Sequence, residues 1–330
     1  MTDKPPINRQ DSVQRQEPEP SIGSVPPVDL QPALAEEHAQ YEQVLESPLP
    51  RLLQEAVGSS ADVSVERIDG GRDFITIDIK DQVEWNERLR GLVPYLGRIM
   101  HELYDPDAGK KPLPTEDEMF ANDFDEADIS CSDRLLLVAN KLQVDGLVLL
   151  KDMNNLPGTT CPAQLLQAIG VSLAERKTGL IYSLYNKIFR LYRNAAIVGS
   201  SHTPGAIKAR CKFSQASGYR SYFRGRRDGD KSLPLDPGEK VLVDAAEAAY
   251  KKILTQEYES SQDGMLPGCV TYGEDSIPLR NEHVWRQDGS PLAETFTEMR
   301  DWIVSNGRTE EGIFGMLVSV PESAFQEEKR

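Results

Sequence analysis

Hydrophobic and polar residues alternate between positions 61 and 80 of this chain, and they repeat at helical spacing on either side of that stretch. The alternation is interrupted by Asp69-Gly70-Gly71, which is typical of a tight turn, so residues 61–80 are expected to form a β-hairpin. Residues 48–57 and 83–103 have the spacing of amphipathic helices, although Pro94 should kink or divide the second one. The pattern predicts an α-β-β-α unit within 34–104.

The second half of the chain is predicted to be mainly helical. Helices are expected at 133–142, 162–169, 178–198, 236–258 and 290–307, and one late strand at 313–320. The fourth helix begins with Asp236-Pro237-Gly238-Glu239, which resembles a capping box. The fold class expected from the sequence is therefore α+β and predominantly α-helical, with one β-hairpin in a small N-terminal unit and a helical C-terminal domain at 132–330.

Two segments are expected to lack a core. Residues 1–33 contain seven prolines and no aromatic residue, which predicts a disordered tail. Residues 105–131 are interpreted as an acidic linker, because Thr115 to Asp133 holds eight acidic residues and no Lys or Arg. The linker is either a solvated loop or an intramolecular competitor for a basic surface elsewhere in the chain.

Composition narrows the class of protein. The chain has 330 residues, a net charge of −16 and 39% hydrophobic residues, and its apolar runs are too short to span a membrane. Four scattered cysteines and four scattered histidines fit neither a disulfide scaffold nor a close-spaced zinc site. These features predict a soluble, cytoplasmic protein without a metal site, a cofactor, a catalytic residue or a membrane partner.

One segment has the opposite charge to the rest of the chain. Arg176 to Lys231 contains thirteen Lys or Arg residues against only Asp228 and Asp230, together with eight of the twenty Phe and Tyr residues. Basic groups mixed with aromatic rings suit nucleic acid, because cations contact phosphates and rings stack on unpaired bases. The sequence therefore predicts a non-enzymatic nucleic-acid-binding protein that favours single strands and loses affinity with salt.

The expected nucleic-acid contacts fall into two groups. Phosphate contacts are assigned to Lys187, Arg190, Arg193, Lys208, Arg210 and Lys212, and base contacts to Tyr219, Arg220, Tyr222, Phe223, Arg224, Arg226 and Arg227. Lys187, Arg190 and Arg193 lie on a helix face without acids. The residues assigned to base contacts lie in a Gly-containing segment that should be an exposed loop. Two other interpretations stay open: the helix aromatics belong to a core, and the arginines pair with acids of the same chain.

Two alternative functions remain. The basic surface could dock on an acidic protein partner or on another copy of the chain, as in a scaffold protein or homo-oligomer. Alternatively, Glu55, Asp62 and Asp78-Ile79-Lys80 on the α-β-β-α unit resemble the core of PD-(D/E)xK nucleases. That resemblance implies acids that hold Mg²⁺ and a Lys that orients the attacking water.

Overall fold

A computed structural model describes residues 48–68, 71–104, 108–124, 128–201, 204–230, 232–253, 265–271, 291–305 and 311–327. All of them belong to one unit, Ser47–Arg330. Within these residues ten strands form a single mixed sheet that has helices packed on both faces. The predicted tail at 1–33 lies outside the described residues.

Eight helices and ten strands lie along the described residues. The helices are α1 (Leu49–Val57), α2 (Gln82–Tyr104), α3 (Glu116–Met119), α4 (Leu180–Leu191), α5 (Pro204–Ala216), α6 (Pro237–Ile253), α7 (Pro291–Ser305) and α8 (Ala324–Glu327). The strands are β1 (Ala61–Ile68), β2 (Arg72–Ile79), β3 (Arg134–Asn140), β4 (Gln143–Asn155), β5 (Pro162–Val171), β6 (Ala196–Ser201), β7 (Tyr219–Phe223), β8 (Arg226–Arg227), β9 (Met265–Thr271) and β10 (Glu311–Pro321). Short π-helical and 3₁₀ turns occupy Phe120–Phe124, Asp128–Cys131 and Leu173–Glu175.

The strand order is not the chain order at one end of the sheet. The order is β1-β2-β3-β4-β5-β6-β10-β7-β8, with β9 paired to β10. Neighbouring strands are antiparallel except β5 and β6, which run parallel and are joined by α4. The late strand β10 lies between β6 and β7 and separates them. One parallel pair therefore lies inside an otherwise antiparallel sheet.

The expected fold class, predominantly helical with a single hairpin, is wrong. Residues expected as helices at 133–142 and 162–169 are instead strands β3 and β5, and the long helix expected at 178–198 ends at Leu191. The physical reason is burial on both faces. Leu135 to Ala139 are all fully buried, three of them against one layer of helices and two against the other. A strand covered on both faces shows no alternation and is easily mistaken for a helix.

Several local predictions are confirmed. The hairpin at 61–80 forms β1 and β2, and helices α1 and α2 flank it. Pro94 does not divide α2, which is assigned as one helix from Gln82 to Tyr104. The capping box is present at α6, where the Glu239 N–H donates to Asp236 Oδ1 at 2.8 Å. The late strand is β10. The division into a unit at 34–104, a linker at 105–131 and a domain at 132–330 stays a prediction.

The core has two layers of helices around the sheet. Helices α1 and α2 cover one face of β1 to β4, and α6 covers the same side of β5, β6 and β10. Helices α4 and α5 cover the other face. Segment 115–131, expected as a mobile acidic linker, contributes buried Met119, Phe124 and Ile129 to the first cluster. Among the described residues, no helix combines the length and apolarity needed to cross a membrane.

Candidate functional site

The aromatic residues predicted to stack on bases are core residues. Tyr219, Tyr222 and Phe223 lie on β7, and each is no more than 2% exposed. The Tyr219 ring centroid packs 4.7 Å from that of Phe189 on α4, and the Tyr222 hydroxyl donates to Glu239 Oε1 at 2.8 Å. Rings in these positions are not available to nucleic-acid bases.

The neighbouring arginines are paired with acids of the same chain. Arg220 Nη1 lies 3.0 Å from Glu239 Oε1, and Arg227 donates to the same oxygen. Arg224 and Arg226 both contact Glu298 Oε2, at 3.4 and 2.7 Å. The predicted loop is therefore a short hairpin, β7 and β8, whose cations bind two carboxylates of α6 and α7.

The predicted phosphate contacts are dispersed. Arg210 is only 2% exposed. Lys187 pairs with Glu66 and lies 4.8 Å above the Phe74 ring. The remaining members of the group are exposed on α4, on α5 and in the turn that follows α4: Arg190, Arg193, Lys208 and Lys212. Because the aromatic platform is buried and the arginines of the hairpin pair with Glu239 and Glu298, the predicted nucleic-acid-binding function is wrong.

The nuclease resemblance is also unsupported. Asp62 and Asp78 lie opposite each other on β1 and β2, but Asp62 pairs with Lys80 at 2.5 Å and Asp78 accepts a hydrogen bond from Arg134. Glu55 lies on α1, where it pairs with Arg51 at 3.5 Å. Among the described residues there is no cluster of His, Cys, Asp and Glu suited to a metal ion. The residues of that motif are therefore structural ion pairs.

The parallel strands β5 and β6 separate partway along their length. They pair from Ala163 with Ala196 to Leu166 with Gly199, and no further. Strand β5 then continues to Val171, whereas β6 continues to Ser201 beside β10. Residues 167–171 thus have no strand on their β6 side within the described residues. Crevices at the carboxyl ends of parallel strands are the usual ligand sites of α/β sheets.

A β-bulge lies where the strands separate. Leu149 pairs with Ala168 and Leu150 pairs with Leu166, which leaves Gln167 as the extra residue of β5. A bulge residue is excluded from the strand ladder, so its backbone groups are free for other partners. The Gln167 side chain is fixed on the α2 side of the sheet, where its Oε1 accepts a hydrogen bond from Ser132 Oγ at 3.0 Å. The bulge therefore presents an anchored residue at the closed end of the crevice.

The N-terminus of α4 lies at the open end, because it follows β5 after a short connection. Its cap residue, Gly179, has φ +92°, a left-handed conformation that favours glycine. The first turn contains no acidic residue, and exposed Arg176 and Lys177 precede it. The carboxylate of Glu175 is held by Arg72 at 2.6 Å. The Leu180 N–H donates to Thr178 Oγ1 at 3.4 Å, the Tyr182 N–H donates to the Gly179 carbonyl at 2.9 Å, and Arg176 Nη2 donates to the Glu102 carbonyl at 3.0 Å. The helix dipole and the two cations make this end of the crevice attractive to anions.

Polar side chains approach the closed end from both faces. Arg210 Nη1 lies within 3.2 Å of the position that a Cβ on Gly199 would occupy, on the α4 side. On the other side the Tyr250 hydroxyl of α6 donates to Ser200 Oγ at 2.9 Å. We call this whole space, from Gly199 to the N-terminus of α4, the β5–β6 cleft. The sequence analysis missed it, and the signal present was only the sequence Gly-Ser-Ser after an apolar run.

A second groove lies between the β1–β2 hairpin and α4. Its volume is about 350 Å³, and Glu66, Asp78, Arg134 and Lys187 supply its charges. Each charge has a partner within the groove, since Lys187 binds Glu66 and Arg134 binds Asp78. Arg134 Nη1 also donates to the Tyr192 hydroxyl at 2.7 Å, and burial raises the pKa of that tyrosine although Arg134 opposes the change. The groove is internally neutralised, so the β5–β6 cleft is the stronger candidate.

Comparison with known proteins gives no sequence family. No family model matches the chain, and no curated protein is a significant match. Similar solved structures include an acetyltransferase from Thermus thermophilus, with 18% identity, 42% of this chain and 87% of that chain covered, and a TM-score of 0.28. An integron cassette protein from the mobile metagenome of V. cholerae has 13% identity, with 60% and 100% covered and a TM-score of 0.31.

A third similar structure is an acetyltransferase of the GNAT family from Streptococcus pneumoniae. It has 17% identity, covers 46% of this chain and 89% of its own, and gives a TM-score of 0.25. TM-scores in this range do not establish a shared fold.

Proposed function

We propose that this chain is an acyltransferase that takes an acyl group from a phosphopantetheine thioester, such as an acyl-coenzyme A, bound in the β5–β6 cleft. The separation of β5 from β6 after Leu166 and Gly199 carries the proposal. It leaves an internal strand edge, a bulge at one end of that edge and a helix N-terminus at the other. Each of the three features matches one part of such a donor.

The open strand edge matches the pantetheine arm. At about 3.3 Å per residue, positions 167–171 of β5 span roughly 16 Å. Their backbone N–H and C=O groups face the cleft at alternate positions and bind an extended chain that carries amides, as an added strand would. The pantetheine arm is extended and contains two amides. A purely apolar ligand of the same length would bury these backbone groups without giving them hydrogen-bond partners.

The helix end matches the phosphates. Phosphate binds readily at a helix N-terminus because unpaired N–H groups and the helix dipole both favour a negative charge. Gly179, Arg176 and Lys177 surround the start of α4. The Glu175 carboxylate is partly neutralised, because Arg72 binds one of its oxygens at 2.6 Å, and its other oxygen accepts a hydrogen bond from the Thr178 hydroxyl at 2.8 Å. With the phosphates at this end, the arm runs along β5 and its thioester lies near the bulge at Gln167.

The bulge matches the reacting group. A backbone N–H released from the ladder at Gln167 is positioned to donate to the thioester carbonyl oxygen, which gains negative charge in the transition state. A nucleophilic acceptor, such as an amine, attacks the carbonyl carbon and forms the new acyl bond. The C–S bond breaks, and the proton lost by the acceptor passes to the departing thiolate. A cytoplasmic location fits a reaction that uses coenzyme A.

The proposal is tested by titrating the protein with coenzyme A and with acetyl-coenzyme A in a calorimeter. We expect both to bind, and we expect Lys177→Glu to raise the dissociation constant about tenfold, because a cation beside the phosphates becomes an anion. The control is Lys252→Glu, which makes the same charge change at an exposed position on α6. Absence of binding at millimolar ligand, or equal weakening by both variants, would overturn the proposal.

A further inference from the structure

Arg210 is a buried cation at the closed end of the β5–β6 cleft. Its side chain extends from α5 and is held by two neutral groups, the Ile197 carbonyl, to which Nη2 donates, and Ser319 Oγ, 3.2 Å from Nε. Nη1 has no hydrogen-bond partner among the described residues. It lies over Gly199, the last residue of β6 that pairs with β5. The unsatisfied end of the guanidinium therefore lies where the cleft begins.

No carboxylate among the described residues pairs with Arg210. The arginines of the neighbouring hairpin differ from it in this respect, since each of them reaches Glu239 or Glu298. Burial lowers the pKa of Arg210 to about 10, although Tyr185 acts in the opposite direction. A buried charge without a counter-ion is costly, and proteins generally pair such charges. An anionic ligand would supply the missing counter-ion.

A second donor lies beside Arg210. Tyr185 of α4 is 2% exposed, its ring packs against those of Phe189 and Phe213, and its hydroxyl interacts electrostatically with Arg210. Burial raises the pKa of Tyr185 to about 12, so the hydroxyl keeps its proton and can donate it to a hydrogen bond. That hydroxyl has no hydrogen-bond partner among the described residues. Tyr185 therefore packs against α5, the helix that carries Arg210, and supplies a second donor on that face of the sheet.

We propose that the acyl group of the donor ends in a carboxylate, which is bound by the Arg210 guanidinium and the Tyr185 hydroxyl. This inference rests on the proposed function, because it places the acyl end of the donor at the closed end of the cleft. A guanidinium binds a carboxylate through charge-assisted hydrogen bonds, and burial strengthens them. The preferred donors belong to the dicarboxylic acyl class, such as succinyl thioesters, whereas a monocarboxylic acyl group leaves Arg210 without a counter-ion.

The decisive comparison is between succinyl-coenzyme A and butyryl-coenzyme A. Both carry four-carbon acyl groups, and they differ only in having a carboxylate or a methyl group at the end. We expect the intact protein to bind the succinyl donor at least about tenfold more tightly, as a hydrogen-bonded charge pair predicts. Calorimetric titration gives both dissociation constants. Equal affinity for the two donors would overturn this inference and leave the proposed function standing, whereas failure of both to bind would overturn the two together.

Three variants test whether Arg210 and Tyr185 cause the preference for the succinyl donor over the butyryl donor. Arg210→Gln should reduce the ratio of the two dissociation constants to about one, because the guanidinium charge is lost. Lys212→Gln, which removes the same charge from the exposed side of α5, should leave the ratio unchanged. Tyr185→Phe keeps the stacked ring and should lower the ratio severalfold, which provides a second test if Arg210→Gln does not fold. Retention of the full preference in folded Arg210→Gln or Tyr185→Phe would contradict the assignment.

Discussion

Glu239 is the acid on which the β7–β8 hairpin depends, and replacing it with Gln should remove a large, pH-dependent part of the stability. The carboxylate is fully buried at the first turn of α6. It accepts hydrogen bonds from Arg220, Arg227 and Tyr222 through Oε1, and from the Asp236 N–H through Oε2 at 2.9 Å. Burial by itself would raise its pKa, but these donors outweigh burial and lower the pKa to about 2.

The contribution of Glu239 to the free energy of unfolding follows from the difference between its pKa in the folded and in the unfolded protein. Lowering the pKa from 4.5 to about 2 corresponds to a contribution on the order of 3 kcal/mol at neutral pH. Because the folded pKa is the lower one, the contribution is complete above 4.5 and is lost as the pH falls from 4.5 toward 2. At pH 3 roughly 1 kcal/mol should remain.

The assay is urea unfolding of the wild-type protein and Glu239→Gln, followed by circular dichroism between pH 7 and pH 3. The free energy of unfolding should differ by about 3 kcal/mol at pH 7, and the difference should shrink to about 1 kcal/mol at pH 3. Lys240→Gln, one position further along α6, removes an exposed charge that pairs with Asp244 and serves as the control. A difference between wild type and Glu239→Gln that stays constant with pH would refute the reasoning.

Two further predictions concern packing and thiol reactivity. Gly199→Ala should lower the free energy of unfolding by about 1 to 3 kcal/mol in urea titrations, because the new Cβ would lie 2.8 Å from the backbone oxygen of Leu166. Gly91→Ala in α2, whose Cβ would meet nothing closer than 3.9 Å, should be neutral or stabilising. A Gly91→Ala variant that is less stable than Gly199→Ala would contradict this account. In native protein at pH 8 a thiol reagent should label exposed Cys131 but not Cys211, because burial raises the pKa of Cys211 to about 12. Peptide mass spectrometry measures both, and rapid native labelling of Cys211 would show that the α5 layer is more open than the structure indicates.

Local signals in the sequence were sufficient for some elements. The alternation at 61–80 predicts β1 and β2 because one face of that hairpin is more exposed than the other. The capping box at Asp236 and Glu239 depends on residues three positions apart, so it can be identified without any knowledge of the fold. The helix at 178–198 is predicted less completely, because Leu191 is exposed although it is apolar, whereas Tyr185 and Phe189 are buried.

The sheet could not be predicted in the same way. The apolar runs of β3 and β4 are covered on both faces, and neither run shows the period of a strand or of a helix. The basic segment misled the functional prediction for a related reason. The acid that pairs with both Arg224 and Arg226 is Glu298 on α7, about 70 residues away, so a local count of charges cannot include it. The β5–β6 cleft depends on the position of β10, which the local sequence does not specify.

The late strand β10 also sets an order of events during synthesis. Strands β6 and β7 are complete by Phe223, but the strand that separates them begins only at Glu311. At about 5 to 20 residues per second, the ribosome needs roughly 4 to 18 seconds to make the intervening chain. During that interval the edges of β6 and β7 that pair with β10 in the folded protein lack that partner. The nascent chain is therefore most vulnerable to mispairing and aggregation in this period, and chaperone contact or a slow stretch of translation should have its greatest effect there.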